Sequence, residues 1–342
     1  MKAAALNGPR TVAVIDVEQP GEPAPGDVLV RMRNVGICGS DLHFFRGEFP
    51  LPKGFILGHE LAGEVAVVGE GVRGFESGDR VAIEAVRVCL TCAFCRSGNY
   101  QFCAARKSFG LNHPGGLQEY VTLPAYALYK LPDAIDTELG ALLEPLIVGV
   151  HGLRLVDMRF GDRVAVLGSG AIGLTAIAAA RAMGATFIAA TARYPQQREM
   201  AGVMGADAVF ETTNEGTAAM AKAMPGGYDV VVETVGGHAD TLGQALQIVA
   251  VGGRISVLGA FSQPVSIHPI MFFMKEPRIV GSNCYGRAGR NSDYELGIEI
   301  MRRRPEDFRR LITHRYGIDE VAQAYATADD KRSGAIKVTV TP

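Results

Sequence analysis

Three residues near the start of the chain, Cys38, His59 and Glu60, are of types that bind zinc. A thiolate, an imidazole and a carboxylate occupy three positions of a zinc tetrahedron and leave the fourth open to water or substrate, which is the arrangement of a catalytic site. Each residue alone would indicate little, because a buried cysteine usually behaves as a small hydrophobe. A second cysteine cluster and a nucleotide-type loop in the same chain favour the zinc interpretation.

The second cluster has four closely spaced cysteines, Cys89, Cys92, Cys95 and Cys103. Residues 1–9 contain no apolar segment of signal-peptide length, so we expect a cytoplasmic chain whose thiols stay reduced. Four thiolates complete the tetrahedron around zinc and exclude substrate, so the cluster predicts a structural zinc on a loop. Redox chemistry and iron–sulfur ligation are the alternatives. We therefore expect two Zn²⁺ ions in each chain, one catalytic and one structural.

Length and charge are typical of a two-domain enzyme. The chain has 342 residues, enough for two domains with a core each. Its formal net charge of -2 provides no electrostatic attraction for nucleic acid or for an anionic membrane. The most apolar segment, 171–192, contains Arg181 and is a poor candidate for a membrane span. We expect a small-molecule substrate, with no nucleic-acid partner and no membrane partner.

The elements that must position these residues change character along the chain. Up to residue 150, short strands such as 64–69 and 80–83 alternate with glycine-containing turns, which predicts a small β-rich domain with both zinc sites on its loops. Beyond residue 160, apolar strands alternate with helices, which is typical of a parallel sheet covered on both faces. We predict six such strands, at 163–167, 186–191, 208–210, 229–233, 254–258 and 278–280.

Six strands of this kind fit a doubly wound, Rossmann-type nucleotide-binding domain. After it come a helical stretch, 293–303, and a last strand, 335–340, which together are too short for a third domain. The predicted fold class is therefore α/β. Its parts are a β-rich catalytic domain at 1–150, a dinucleotide-binding domain at 151–284, and a C-terminal segment, 285–342, that returns to the first domain.

A glycine-rich loop follows the first of the six strands. The residues of its G-x-G-x-x-G pattern that we expect to contact the cofactor are Gly168, Gly170, Ala171, Ile172 and Gly173. Between a strand and a helix, these glycines allow a tight turn, close approach of a pyrophosphate and close helix–sheet packing. The phosphates would bind at the helix N-terminus, where free N–H groups and the helix dipole favour negative charge. The alternative is a glycine-rich turn without a ligand.

The end of the next strand bears on the choice of cofactor. An NAD site places an acidic residue about 20 residues on, for the ribose 2′-hydroxyl, and this chain has Ala192 there. Without that carboxylate, Arg193 can bind a 2′-phosphate through a charge-assisted pair. We expect Thr191 to donate to the phosphate, Arg198 to assist and Tyr194 to pack on the adenine, so NADP is favoured over NAD. The alternative is that Arg193 is a solvated loop residue. The remaining predicted cofactor contacts follow the fifth strand, at Leu258, Gly259 and Ala260.

Taken together, these motifs resemble the zinc-containing medium-chain alcohol and polyol dehydrogenases, nearest to the branch with sorbitol, threonine and butanediol dehydrogenases. The resemblance covers essentially the whole chain and rests on motifs in order: CGSDLH at 38–43, GHE at 58–60, the four-cysteine cluster, EPL at 144–146 and GSGAIG at 168–173. It implies a GroES-like catalytic domain and a Rossmann domain with the active cleft between them. It also implies an NAD(P)-dependent oxidoreductase of the CH–OH group and a homo-oligomer, either a dimer or a tetramer.

The resemblance implies roles for single residues. Cys38 and His59 would bind the catalytic zinc, and Glu60 would be the third ligand or would hold a zinc-bound water. Glu144 matches the position of a cysteine ligand in the alcohol dehydrogenases proper, so it could ligate zinc or exchange with Glu60. Asp41 would orient the His59 ring. The alternatives are a turn residue for Asp41 and a helix N-terminal acid for Glu144.

The implied reaction is hydride transfer between the carbinol carbon and the nicotinamide ring. Zinc would act as a Lewis acid on the alcohol oxygen. Ser40 would accept the leaving proton and pass it, through the cofactor ribose, to His43 and solvent.

Two departures from the polyol branch bear on the substrate. Cys284 stands where that branch has an arginine for polyol hydroxyls, and Ile147 stands where it usually has a small residue. These changes predict a more apolar pocket, open to short diols, amino alcohols or simple secondary alcohols. The alternatives are a non-catalytic NADP-binding relative, a threonine- or diol-type dehydrogenase using NAD, and a zinc-free quinone or enone reductase. Retention of the zinc-type residues argues against the first and the last.

Overall fold

The computed structural model describes residues 1–288 and 291–342. Within them the chain forms two compact units, one of Met1–Glu144 with Arg287–Pro342 and one of Pro145–Gly286. The limits predicted at residues 150 and 284 fall close to these divisions. The first limit lies inside the helix Leu143–Leu155, whose continuous helical sequence carries no signal of a domain boundary. No helix in the described ranges is long and apolar enough to cross a membrane.

The first unit begins with ten short strands. They are β1 (Lys2–Gly8), β2 (Thr11–Asp16), β3 (Asp27–Gly36), β4 (Phe55–Ile56), β5 (Glu60–Val68), β6 (Arg80–Ile83), β7 (Val86–Arg87), β8 (Lys107–Ser108), β9 (Tyr120–Pro124) and β10 (Leu128–Lys130). The helices of this stretch are α1 (Gly39–Arg46), α2 (Ala93–Arg96) and α3 (Thr137–Ala141), followed by α4 (Leu143–Leu155). The candidate zinc residues lie at the ends of strands, because Cys38 follows β3 and Glu60 opens β5.

The second unit contains a six-stranded parallel sheet. Its strands are β11 (Arg163–Leu167), β12 (Phe187–Thr191), β13 (Ala208–Phe210), β14 (Tyr228–Glu233), β15 (Val249–Val257) and β16 (Arg278–Gly281). Its helices are α5 (Ala171–Ala182), α6 (Pro195–Met204), α7 (Asn214–Ala223), α8 (Thr241–Ile248) and α9 (Ile270–Lys275). The order β13-β12-β11-β14-β15-β16 confirms the predicted doubly wound sheet. The glycine-rich loop follows β11, where the strand order reverses and where such sheets bind their ligands.

The last part of the chain joins the first unit. It contains β17 (Arg287–Ala288), β18 (Asn291–Ser292), α10 (Asp293–Met301), α11 (Pro305–Arg309), β19 (Ile312–Gly317), α12 (Val321–Asp329) and β20 (Lys337–Thr341). β20 pairs antiparallel with β3 in a seven-stranded sheet of order β10-β6-β5-β3-β20-β19, in which β9 also pairs with β3. This pairing brings Lys337, from the far end of the sequence, beside the strands that lead to Cys38 and Glu60.

Candidate active site

Cys38 lies at the N-terminus of α1, in the turn that follows β3. Its backbone N–H donates to Asp41 Oδ2 at 2.9 Å, so the carboxylate of the first helical turn holds the turn in place. The helix N-terminus favours a negatively charged group at this point. The local sequence therefore places the Cys38 thiol at the N-terminus of α1.

His59 is the neighbour of this turn. Its Nδ1 lies 3.4 Å from Asp41 Oδ1, and its Nε2 lies 3.3 Å from Ser40 Oγ. Asp41 is 0% exposed and His59 is 6% exposed. Burial lowers the pKa of His59, whereas Asp41 and Cys38 raise it. Their combined effect exceeds that of burial, so the pKa lies well above its usual value. Asp41 therefore lies where it can fix the ring through Nδ1, as the resemblance implies.

Glu60 forms an internal ion pair with Lys337. The Lys337 Nζ donates to the two Glu60 carboxylate oxygens at 2.5 and 2.7 Å and to the Ile37 carbonyl oxygen at 3.1 Å. Both side chains are almost completely buried, at 2% and 0% exposure. The approach is so close that a Cβ atom at Gly36 would lie 1.9 Å from Glu60 Oε2. The carboxylate of Glu60 is thus already neutralised by a protein cation.

Glu144 is the contrasting carboxylate. It lies in the first turn of α4 and is 7% exposed. Burial raises the pKa of Glu144 to about 7, and His59 and Lys337 offset only part of that rise. In the part of the chain that the structure describes, no donor hydrogen-bonds its carboxylate. A buried carboxylate that lies near an imidazole and lacks a hydrogen-bond donor is of a type that can bind zinc together with that imidazole.

The four cysteines of the second cluster do come together. Their Sγ atoms all lie within 4.8 Å of one another, and none of the four forms a disulfide. Bonds from Thr91 and Cys92 lower the pKa of Cys89 to about 5, whereas burial and the neighbouring thiols raise the pKa of Cys95 to about 12. Four adjacent thiols cannot all ionise without a cation, and tetrahedral zinc is the cation that such a set suits.

The two clusters differ in compactness. Among the residues with described coordinates, the cysteine cluster is the group of metal-type side chains whose ligand atoms all approach within 4.8 Å. Cys38, His59, Glu60 and Glu144 influence one another electrostatically in one buried region but are not drawn together to that extent. Within that region the Glu60 carboxylate is held by its ion pair with Lys337.

His43 lies on α1 and is hydrogen-bonded to a carboxylate outside the predicted site residues. Its Nδ1 hydrogen-bonds to Glu48, and its ring lies 5.3 Å from the ring of Phe49. The His43 side chain is 24% exposed, so it reaches solvent. This position suits a residue that exchanges protons with water.

The glycine-rich loop has the backbone geometry that close approach of a phosphate requires. Gly168 has a φ of 96°, and a Cβ atom at Gly173 would lie 1.9 Å from the Gly168 carbonyl oxygen. The Gly168 N–H donates to Thr191 Oγ1 at 2.9 Å, and the Ser169 hydroxyl donates to the Thr191 carbonyl at 2.8 Å. Thr191 is buried beneath the loop and supports it, and its contact with a cofactor phosphate stays a prediction.

The two arginines after β12 have different surroundings. Arg193 is exposed, its guanidinium lies 5.6 Å from the Tyr194 ring, and within the described residues it has no ion-pair partner. Arg198 is paired with Glu211 and donates to the Val209 carbonyl at 2.6 Å. Arg193 is thus open to an anionic ligand, whereas the guanidinium of Arg198 is already engaged.

The predicted contacts after the fifth strand lie against Glu233. The N–H groups of Leu258 and Gly259 donate to the Glu233 carbonyl at 2.8 and 3.2 Å, and the Ala260 carbonyl accepts from Gly237 at 2.8 Å. The Glu233 carboxylate is 0% exposed and accepts from Val235 and Gly236 N–H and from the Thr241 hydroxyl. It therefore organises the turns at the carboxyl ends of β14 and β15.

Comparison with known proteins identifies the family. The alcohol dehydrogenase GroES-like domain matches residues 24–133, and the zinc-binding dehydrogenase domain matches residues 171–303. A D-xylulose reductase of Scheffersomyces stipitis is 38% identical over 322 residues, which cover 88% of this chain and 88% of that protein. The chain belongs to the zinc-containing medium-chain dehydrogenases.

Other medium-chain dehydrogenases match over nearly their whole length. A sorbitol dehydrogenase of Halalkalibacterium halodurans is 33% identical over 333 residues, covering 95% of each chain. A Sinorhizobium meliloti structure with bound NADP is 32% identical, covers 100% of this chain and 99% of that one, and has a TM-score of 0.89. This dehydrogenase is thus an NAD(P)-dependent oxidoreductase of alcohol groups, and the predicted family, fold class and reaction class are confirmed.

Three charged residues of this dehydrogenase escaped the sequence analysis. Lys337 carries a signal that could have been used, because a lysine in the apolar run 335–340 needs a buried partner. Glu233, at the end of an apolar parallel strand, carries the same signal. Glu48 carries none, because an exposed glutamate after a helix is ordinary.

Proposed function

We propose that this dehydrogenase interconverts a secondary alcohol and a ketone on a polyol or short diol, with NADP as the preferred cofactor. The observation that carries the proposal is the buried Glu144 carboxylate near His59, which receives no hydrogen bond from any described residue, at a site that also contains Cys38. The D-xylulose reductase and sorbitol dehydrogenase relatives support a polyhydroxylated substrate by their names. Cys284, in place of the arginine of the polyol branch, supports a shorter or less hydroxylated one.

We assign the catalytic zinc to Cys38, His59 and Glu144, with Glu60 able to exchange only after it leaves Lys337. The second zinc belongs to the four-cysteine cluster. When bound at the first site, a zinc ion lowers the pKa of the alcohol oxygen. Ser40, whose Oγ lies 3.3 Å from His59 Nε2, would accept the alcohol proton while its own hydroxyl proton passes towards His43, which releases a proton to solvent. Asp41 keeps the His59 ring oriented.

The preference for NADP rests on Arg193 and Ala192. The position that holds a ribose-binding acid in NAD sites is an alanine here, so a 2′-phosphate meets no carboxylate repulsion. Arg193 is exposed beside Tyr194 and can pair with that phosphate in a charge-assisted way. The Sinorhizobium meliloti neighbour was solved with NADP, which agrees with this preference.

We also propose a homo-oligomer, a dimer or a tetramer, in the cytoplasm. Among the residues that the structure describes, no strand pairs with the outer side of the edge strand β16, and Phe273 and Met274 of α9 are 78% and 62% exposed. An unpaired edge next to exposed apolar side chains favours association with a second copy. Four thiols without disulfides suit a reducing compartment. Sedimentation at several protein concentrations tests the oligomer, and a monomer throughout would contradict it.

The test of the proposed function is turnover followed at the absorbance band of the reduced nicotinamide. The substrates are sorbitol, xylitol, butane-2,3-diol, threonine and propan-2-ol, each with NADP or NAD and with or without a zinc chelator. We expect chelator-sensitive turnover of a polyol or diol, faster with NADP. Bound cofactor without turnover of any substrate, or turnover that survives removal of all zinc, would contradict the proposal.

A further inference from the structure

The chain reversal after α1 places a carboxylate on the ring of His43. α1 ends at Gly47, whose φ of 77° is the left-handed conformation that glycine adopts without strain. The Gly47 N–H then donates to the Phe44 carbonyl at 3.0 Å, and the Glu48 N–H donates to the His43 carbonyl at 2.9 Å. Glu48 is therefore held by its backbone directly beside the residue that its side chain contacts.

The His43 ring is bounded on two sides. Nδ1 hydrogen-bonds to Glu48 Oε2, and the Phe49 ring lies 5.3 Å from the imidazole. This leaves Nε2 as the ring nitrogen that can exchange a proton elsewhere. When the other ring nitrogen donates to a carboxylate, the tautomer of a neutral histidine is set.

Further charged groups surround the pair. Arg46 NH1 lies 3.7 Å from Glu48 Oε1, and the Arg46 Nε donates to Asp329 at 2.6 Å from the end of α12, which packs on α1. Asp329 also accepts from Arg10 at 2.7 Å. Lys331, after α12, lies close enough to Arg46 and Asp329 for both to affect its pKa. The charges of Arg46 and Asp329 offset each other. Glu48 is the carboxylate in direct contact with His43.

We propose that Glu48 is a positioning residue for proton transfer by His43. Glu48 keeps the proton of neutral His43 on Nδ1, so Nε2 is the base that receives the proton released by the alcohol. The resulting imidazolium is stabilised by the carboxylate, loses a proton to water, and returns to the same tautomer, while Glu48 stays ionised throughout. This inference rests on the proposed function only in the role that it assigns to His43.

Two effects of removing the carboxylate can be separated. Loss of its negative charge destabilises the imidazolium form of His43, so the midpoint of the pH profile of kcat moves to lower pH. Loss of the tautomer and of the ring orientation lowers the plateau of kcat, roughly three- to tenfold. A carboxylate that merely capped the end of α1 would produce neither a shift of the pH profile nor an effect that depends on His43.

The experiment compares Glu48→Gln, Glu48→Asp, His43→Asn and the double variant His43→Asn/Glu48→Gln in the full-length enzyme. It measures kcat and KM for butane-2,3-diol or sorbitol, whichever is turned over faster, between pH 5.5 and 10. Glu299→Gln is the matched control, since Glu299 is an exposed glutamate paired with an arginine, Arg302, on α10. We expect Glu48→Gln to lower the plateau of kcat and to move its midpoint to lower pH, with KM unchanged, and Glu48→Asp to restore part of both.

The double variant distinguishes an action of Glu48 through His43 from an independent effect of Glu48. If Glu48 acts through His43, adding Glu48→Gln to His43→Asn changes kcat by less than twofold. An equal loss in both backgrounds, or an unmoved midpoint in Glu48→Gln, would overturn the inference while leaving the proposed dehydrogenase intact. Unchanged kcat in His43→Asn alone would remove the proton-transfer role of His43 itself, and with it this inference. Failure of the proposed function is separate, since it would appear as absence of chelator-sensitive turnover in the unmodified enzyme.

Discussion

The four-cysteine cluster, which is the proposed structural zinc site, and the proposed catalytic site of this dehydrogenase are assembled in opposite ways. The cluster takes its side chains from the single stretch between Cys89 and Cys103, and their Sγ atoms lie within 4.8 Å of one another. The catalytic centre combines the turn after β3, the start of β5 and the first turn of α4 with Lys337 from β20. A local site closes a short loop at small entropic cost, whereas a distant one exists only once the sheet has formed. The two sites should therefore respond differently to substitution.

The largest expected effect distinguishes the two proposed zinc sites from each other. Cys38→Ser should lower kcat roughly a thousandfold, equal to about 4 kcal/mol, because it removes a ligand of the catalytic ion. Zinc content, measured by atomic emission, should fall by one ion per chain, with NADP binding retained. Cys103→Ser is the matched variant and should release the other ion. If Cys38→Ser keeps its full zinc content, the assignment of the catalytic site is wrong.

A second effect tests whether the proposed catalytic site depends on residues that are far apart in the sequence. Lys337→Met leaves the Glu60 carboxylate buried without its cation, which should lower the free energy of unfolding by about 3–5 kcal/mol. Urea denaturation of the zinc-free protein measures this loss. The double variant Lys337→Met/Glu60→Gln should recover most of the loss. Lys2→Met breaks an exposed pair with Asp319 and should leave the midpoint unchanged. Equal effects of the two lysine variants would contradict the comparison.

A third effect tests how the segment with the four-cysteine cluster is attached to the sheet. Glu84, after β6, accepts hydrogen bonds from Tyr129 and from Tyr100, which lies between Cys95 and Cys103. Burial raises the pKa of Glu84 from 4.5 to about 7. The folded protein then binds this proton more tightly than the unfolded chain does. Stability should consequently fall as the pH rises from about 4.5 to about 7, by about 3 kcal/mol from this group.

Glu84→Gln should abolish that pH dependence, since the amide carries no charge. Its oxygen can still accept from one tyrosine, and its NH2 group can donate to the hydroxyl oxygen of the other. Urea denaturation at pH 5 and pH 8 compares the variant with the unmodified protein. Glu299→Gln serves as control, because an exposed glutamate should leave the difference between the two pH values unchanged. A difference that persists in Glu84→Gln would show that another buried group is responsible.

The smallest effect concerns the nucleotide loop, which is also local in sequence. Arg193→Ala should weaken NADP binding about tenfold and leave NAD binding unchanged, because only NADP has the 2′-phosphate that the arginine pairs with. Titration of each cofactor by fluorescence measures the two dissociation constants. Arg198→Ala should leave their ratio unchanged, since Arg198 is engaged with Glu211. Equal weakening of both cofactors by Arg193→Ala would contradict the proposed preference.

Most of the fold could be predicted because its signals are local. The apolar runs between 163 and 280 and the G-x-G-x-x-G loop indicate a doubly wound sheet, and the structure has its six strands in that order. The predicted limit at residue 150 lies within α4, since a helix that runs through a boundary carries no signal of it. The Thr191 hydroxyl accepts from the Gly168 amide, a contact that only the loop geometry reveals.

Sequence alone determined the residue types and spacings: four cysteines close enough to share one metal, a glycine loop between strand and helix, and the thiol and imidazole of a second centre. The tertiary structure alone decided how the carboxylates are used. It pairs Glu60 with Lys337, leaves Glu144 buried with no hydrogen-bond donor among the described residues, and holds Glu48 against His43. Spacing along a chain determines contacts within one turn or loop, whereas the partner of a buried charge depends on which distant strands pair, and that follows from packing of the whole sheet.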